Sequence, residues 1–168
     1  MSPFEEELQL LDTIPGIDCR LAQQLLAEIG PDMGRFPDGG HLASWASLCP
    51  GHNESAGKRR SGKTRKGSPW LRSTAIEAAH GAARKKNVYL SAQYHHLAGR
   101  KGKKKALVAV GHSILVMAYY ILKRRQPYSD LGANYFDQRQ QDIIQRKCVH
   151  RLEKLGFKVT LEPAALAA

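Results

Sequence analysis

The chemistry of this chain is concentrated in one stretch, Pro50 to Arg72, which reads PGHNESAGKRRSGKTRKGSPWLR. Seven cations (Lys58, Arg59, Arg60, Lys63, Arg65, Lys66 and Arg72) stand there against one acid, Glu54. Such a segment has no apolar face to bury, so it is expected at the surface as a loop or hairpin. Glycines such as Gly57 let backbone N–H groups approach phosphate oxygens, and lysine and arginine supply the countercharge. Ser55 stands at the head of the basic run. Its hydroxyl can donate a hydrogen bond to a phosphate, or it can attack a phosphodiester. Attack needs a base or a metal, because a serine hydroxyl is a weak nucleophile, and cations to offset the charge that redistributes at phosphorus. The run supplies the cations. His52 is the candidate base by proximity, and Glu54 adjoins the serine.

A second cationic turn, Gly99 to Lys105 (GRKGKKK), adds Arg100, Lys101, Lys103 and Lys104, tethered by the apolar helix that follows. The formal net charge of +11 over 168 residues favours a polyanionic partner. Nucleic acid fits better than an anionic membrane, since no apolar run reaches the roughly 20 residues of a spanning helix. The N-terminus, MSPFEEELQLL, is acidic and lacks the parts of a signal peptide. Cys19, Cys49 and Cys148 are isolated and odd in number, which suits the reduced thiols of a cytoplasmic protein. His95 and His96 are adjacent on an expected helix and point in different directions, so no metal site is expected there.

The elements that must position the basic stretch read as helices. Glu5 to Thr13 is one; Pro15-Gly16 makes a turn; a second, ending at Gly30, carries Leu21, Ala22, Leu25, Leu26 and Ile29 on one side. The segment from Ile14 resembles the helix-hairpin-helix of DNA-binding proteins, in which Gly16 and Ile17 would meet a phosphate. Asp18 replaces the motif's second glycine and could cap the helix; the alternative is a hairpin that only packs. Phe36 is expected to anchor a loop, and Trp45 to face inward with Leu42 and Leu48. Ser68-Pro69 fits a helix start, with an alanine-rich face behind it and Arg72 projecting toward the loop. Further helices are expected over Val88–Gly99, Ala106–Leu122 (the central buried one, carrying His112 and Ser113) and Asn134–Leu155. Phe157 to Leu161, FKVTL, alternates like one β-strand. The class is therefore mainly α: one helical domain over 1–168, with a hairpin-like part at 8–30, the basic loop at 50–72, and a C-terminal helix and strand at 137–161.

PGI, LLAEIG, RFPDGGHLASWASLCPG, ESAGKRRSGKTRKGSPWLR, KKALVAVGHSILVMAYYIL and YFD occur in that order. Over about Leu8 to Phe136 the chain resembles the C-terminal transposase domain of the IS-one-ten insertion-sequence family, the DEDD transposases or bridge-RNA-guided recombinases. The resemblance implies a serine nucleophile in a Ser-(Gly/Ala)-Gly-Lys motif, here Ser55 to Lys58, that cuts and rejoins DNA. It also implies a guide RNA, assembly into multimers, and a location at the bacterial nucleoid. In the family an N-terminal RuvC-like domain carries four metal-binding acids. No such region precedes residue 1, so Mg is expected only with that domain, no cofactor with this chain, and catalysis only with the partner. The alternatives are a non-catalytic DNA- or RNA-binding module, or a remnant that oligomerises with the intact enzyme.

Overall fold

The computed structural model describes residues 4–51, 53–64 and 66–161, the side chains of 53, 59–61 and 142 excepted. Contacts group the chain into two compact units, Met1–Ala133 and Asn134–Ala168. The first holds α1 (Glu5–Asp12), α2 (Cys19–Ile29), a 3₁₀ turn (Met33–Arg35), α3 (Gly39–Trp45), a hairpin of β1 (Asn53–Ser55) and β2 (Lys58–Ser61), then α4 (Pro69–Arg84), α5 (Tyr89–Lys101) and α6 (Lys103–Arg124). The second holds α7 (Tyr135–Arg139) and α8 (Gln141–Lys154). The mainly α class read from the sequence is what the fold shows.

Helix α6 is the hub of the first unit. At 22 residues it is long and apolar enough by composition to cross a bilayer. Here α1, α3, α4 and α5 all pack against it, and Val110, Ile114, Leu115 and Tyr119 are fully buried. Truncating one of these leucines or isoleucines to alanine leaves a cavity worth about 2–5 kcal/mol. Helix α4 approaches closely because its inner face is small: Ala75, Ala78, Ala79 and Ala82 have no exposed surface. Gly111 of α6 completes the contact, since a Cβ there would lie 3.1 Å from the Ala75 carbonyl oxygen.

The acids of the connecting loops serve as helix caps. Asp18 Oδ1 accepts from Leu21 N at 2.8 Å, Asp32 Oδ1 from Gly34 N at 2.8 Å and Asp38 Oδ1 from His41 N at 2.9 Å. Asp130 reaches across the chain to cap α5, accepting from Tyr89 N at 3.0 Å. Each such cap is worth about 1 kcal/mol. His41 also bonds the Asp38 carboxylate through its ring, and that contact holds the Asp38 carboxyl below its usual range.

Three expectations are corrected. Trp45 is 45% exposed, because the inward positions of its short helix are Leu42, Ala43 and Ala46, and Trp45 falls on the flank. It leans instead on Phe36, with ring centroids 5.9 Å apart. The long C-terminal helix is broken at Gln140 into α7 and α8. Phe157 to Leu161 lies outside any strand: alternation makes a strand only where an edge receives it, and the pairing among the described residues is that of β1 with β2.

Candidate nucleic-acid interface

The basic stretch folds as a hairpin. Ala56 and Gly57 both have positive φ, 51° and 71°. They form a two-residue turn of the kind whose twist matches paired strands. Ser55 lies opposite Lys58 and Glu54 opposite Arg59, with an irregularity between Glu54 and Asn53, which pairs with Ser61. Directly opposed residues share one face of a hairpin, so Ser55 and Lys58, both exposed, stand side by side at the tip. Strand alternation puts Glu54 on the other face. Beyond the strands the two arms stay joined: Gly51 N donates to Lys63 O at 3.0 Å, and Pro50 bridges to Thr64.

The root of the hairpin is fixed between two helix ends. Ser68 caps α4, its Oγ accepting from Leu71 N at 3.2 Å and donating to Glu28 Oε2 of α2 at 3.0 Å. Gly67 fits against the end of α3, where a Cβ would lie 2.4 Å from the Trp45 carbonyl oxygen. From the first turn of α4, Arg72 Nη1 donates to Ser47 O and to Thr64 Oγ1, both at 2.8 Å. Arg72 thus projects to the loop, as its place in the helix predicts, and there it is a tether. Arg72→Met keeps the aliphatic stem and removes both bonds. It is expected to destabilise the fold by about 1–3 kcal/mol. Hydrogen exchange should show the Gly51 amide losing protection well before the amides of α2.

Below the hairpin lies an open cleft of about 1230 Å³. Its walls are the hairpin arms (Leu48, Pro50, Gly62, Lys63, Thr64), Arg72, the α5 residues Gln93, Arg100 and Lys101, and one face of α6. That face runs at i, i+4 spacing, Lys104–Val108–His112 and Lys105–Ala109–Ser113, so its cations sit in the first turn and its apolar groups deeper. Ser113 Oγ donates to Ala109 O at 3.2 Å and accepts from Gln93 Nε2 at 2.9 Å. Gln93 Oε1 is buried without a hydrogen-bond partner.

Burial pushes the His112 imidazole below its ordinary pKa of 6.5. Its ring is therefore neutral at pH 7 and resists protonation that the unfolded chain accepts. Stability should accordingly fall as pH drops below 6.5. The slope has a ceiling of about 1.4 kcal/mol per pH unit and is reduced because the ring is half-exposed. Denaturant titrations at pH 7 and pH 5 should show a smaller loss in His112→Asn than in the parent.

The residues expected to bind nucleic acid whose side chains are described separate into four groups. Lys63, Arg72, Arg100, Lys101 and Lys104 meet in the cleft. Gly57 and Lys58 form the tip with Ser55. Lys66 and Lys103 are exposed but line no wall of the cleft. Gly16, partly exposed, and Ile17, buried, lie at the turn between α1 and α2. Ile17 is 5% exposed, and a Cβ on Gly16 would lie 2.3 Å from the Ala78 carbonyl oxygen of α4, so this turn packs. His52, Arg65 and the side chains of Arg59 and Arg60 fall outside the described residues. Lys105, the last residue of the cationic turn GRKGKKK, joins the cleft as well, as does Gln93, for which the sequence holds no signal. Among the described residues no three His, Cys, Asp or Glu side chains come together as a metal-ligand set.

No curated protein matches the chain. Residues 8–96, more than half of the chain, match the family described as Transposase IS116/IS110/IS902. The span runs from α1 into α5 and takes in the whole hairpin; the second basic turn and α6, which complete the cleft, lie beyond it. DNA transposition is therefore the process this fold serves, and the chain belongs to the IS116/IS110/IS902 transposase family.

Proposed function

We propose that Ser55 is the nucleophile of strand exchange and that the cleft beneath the hairpin holds the polynucleotide backbone. The observation that carries this is the placement of Ser55 at an exposed tip, opposite Lys58 across a two-residue turn. In the step, Ser55 Oγ bonds to phosphorus, the bond from phosphorus to the departing strand's oxygen breaks, and one DNA end stays on the serine. The hydroxyl proton passes to a base, for which His52 is the sequence candidate, and the departing oxygen takes up a proton. Attack by a second strand's hydroxyl on the phosphoserine restores Ser55. Lys58 lowers the charge that the nucleophile meets at the phosphate. A RuvC-like domain, a guide RNA and further copies of the chain are the partners this chemistry calls for, with Mg held by that domain.

Cations that neutralise phosphates make binding salt-dependent. If about five phosphates contact the cleft, the plot of log K against log salt should have a slope of about −4. The direct test is a DNA substrate whose cleavage traps the enzyme, presented with and without a RuvC-like partner domain. A protein–DNA adduct that survives denaturation, and is lost in Ser55→Ala, is the expected result. Binding without any adduct in the presence of that partner would leave a nucleic-acid-binding module and remove the nucleophile.

A further inference from the structure

We infer that the cleft takes an unpaired stretch of polynucleotide, with bases on its floor and phosphates on its rim, and does not take the side of a duplex. The inference deepens the reading above and rests on nucleic acid being the partner. A duplex shows a protein a convex, regular row of phosphates, with its bases stacked inside. A surface built for it needs cations at the rim and gains nothing from apolar depth. This cleft has both. Lys101, Lys104 and Lys105 are exposed at its mouth, while Val108 and Ala109, one turn further along α6, are partly buried in its floor.

The alternation of charge and apolar surface along one helix face suits a strand whose phosphates stay at the mouth while its bases turn inward. Unpaired bases present flat apolar faces that bind by stacking and contact, largely without regard to sequence. The imidazole of His112 offers them a ring, and the lysine stems offer aliphatic cover. The size agrees. Sites of about 300–1,000 Å³ enclose a drug-sized molecule, so 1230 Å³ is room for a few nucleotides. Gln93 adds a group that needs a donor. Ser113 gives its proton to Ala109 O, so the Gln93 amide can only donate to Ser113, and Oε1 remains orphaned in the wall. A buried acceptor left unpaired is unfavourable, and an N–H on a base edge would satisfy it once the amide turns outward.

The test is equilibrium binding of fluorescent mixed-sequence oligonucleotides of one length, as single-stranded DNA, single-stranded RNA and duplex DNA, to the whole chain at fixed salt. The parent should bind one or both single strands at least tenfold more tightly than the duplex. Ala109→Glu, which puts a carboxylate on the floor, should weaken single-strand binding tenfold or more and duplex binding less than threefold. Lys104→Glu, at the rim, should weaken both. RNA above DNA, or the reverse, identifies the source of the strand, and either upholds the inference. Equal or tighter duplex binding by the parent overturns it without any variant, as does an Ala109→Glu protein, folded by circular dichroism, that binds single strands like the parent. In those cases a Ser55 adduct formed on duplex DNA would leave the proposed function standing. Failure to bind any of the three at low salt removes both.

Discussion

Gly16→Ala is expected to destabilise the first unit by about 2–5 kcal/mol, a large part of a marginal domain's stability. Two effects combine. Gly16 has φ +95°, a region where an L side chain costs about 1–2 kcal/mol. The added Cβ would also lie 2.3 Å from the Ala78 carbonyl oxygen and 2.4 Å from Ala82 N, both backbone atoms of α4 that cannot rotate away. Overpacking of this kind adds about 1–3 kcal/mol. The contact is close from both sides, for a Cβ on Gly81 would meet Gly16 O at 3.0 Å. Gly99→Ala makes a matched control. Gly99 lies within α5 with nothing within 4 Å of the added carbon, so the change should stabilise by about 0.5–1 kcal/mol through helix propensity. Urea unfolding of the two variants should move the midpoint in opposite directions. A Gly16→Ala protein as stable as the parent would contradict the packing of this turn on α4.

Ser55→Ala is expected to reduce strand joining by about 10⁴-fold or more, the scale on which removal of an attacking group acts. Binding should change less than about twofold, and stability by no more than about 0.5 kcal/mol, because the side chain is exposed at the hairpin tip. Lys58→Ala should act more weakly, by about 10²–10³-fold, as for a group that only stabilises charge. The measurement is recombination of paired DNA substrates with the RuvC-like partner supplied, alongside binding on the same preparations. A Ser55→Ala enzyme that still joins strands would remove the serine from the chemistry. A Ser55→Ala enzyme that fails to bind would give the hydroxyl a role in affinity instead.

Locally encoded features were legible in the sequence. Ser68-Pro69 starts α4 where the cap chemistry places it, Asp18 caps α2, and the alanines of α4 lie at the spacing of one buried face. The direction of Arg72 followed from its helix, although its partners, Ser47 and Thr64, did not. The cleft was not legible, because tertiary packing makes it. Lys63 and Lys104 come to one cavity only when α5 and α6 fold back against α4, and Gln93 meets Ser113 across the α5–α6 contact. The close packing of Gly16 on α4 was not legible either: the short motif Ile14–Ile17 is the same whether or not a neighbouring helix lies against its turn. At 157–161 the alternation is present, but among the described residues no strand pairs with it.

Among the described residues, the tip of the hairpin is held by little beyond its own pairing. Short two-stranded ribbons are marginal in water, and Ala56 sits at φ 51°, where asparagine or glycine is at ease and alanine is not. The anchors described above grip the arms near Gly51, Lys63 and Thr64 and leave Ser55 beyond their reach. If Ser55 acts as proposed and the tip opens in solution, an incoming polyanion meets only a fraction of the population with the serine in place, and its apparent affinity is reduced by that fraction. A tighter Asn-Gly turn at 56–57 would raise the poised fraction before any nucleic acid arrives.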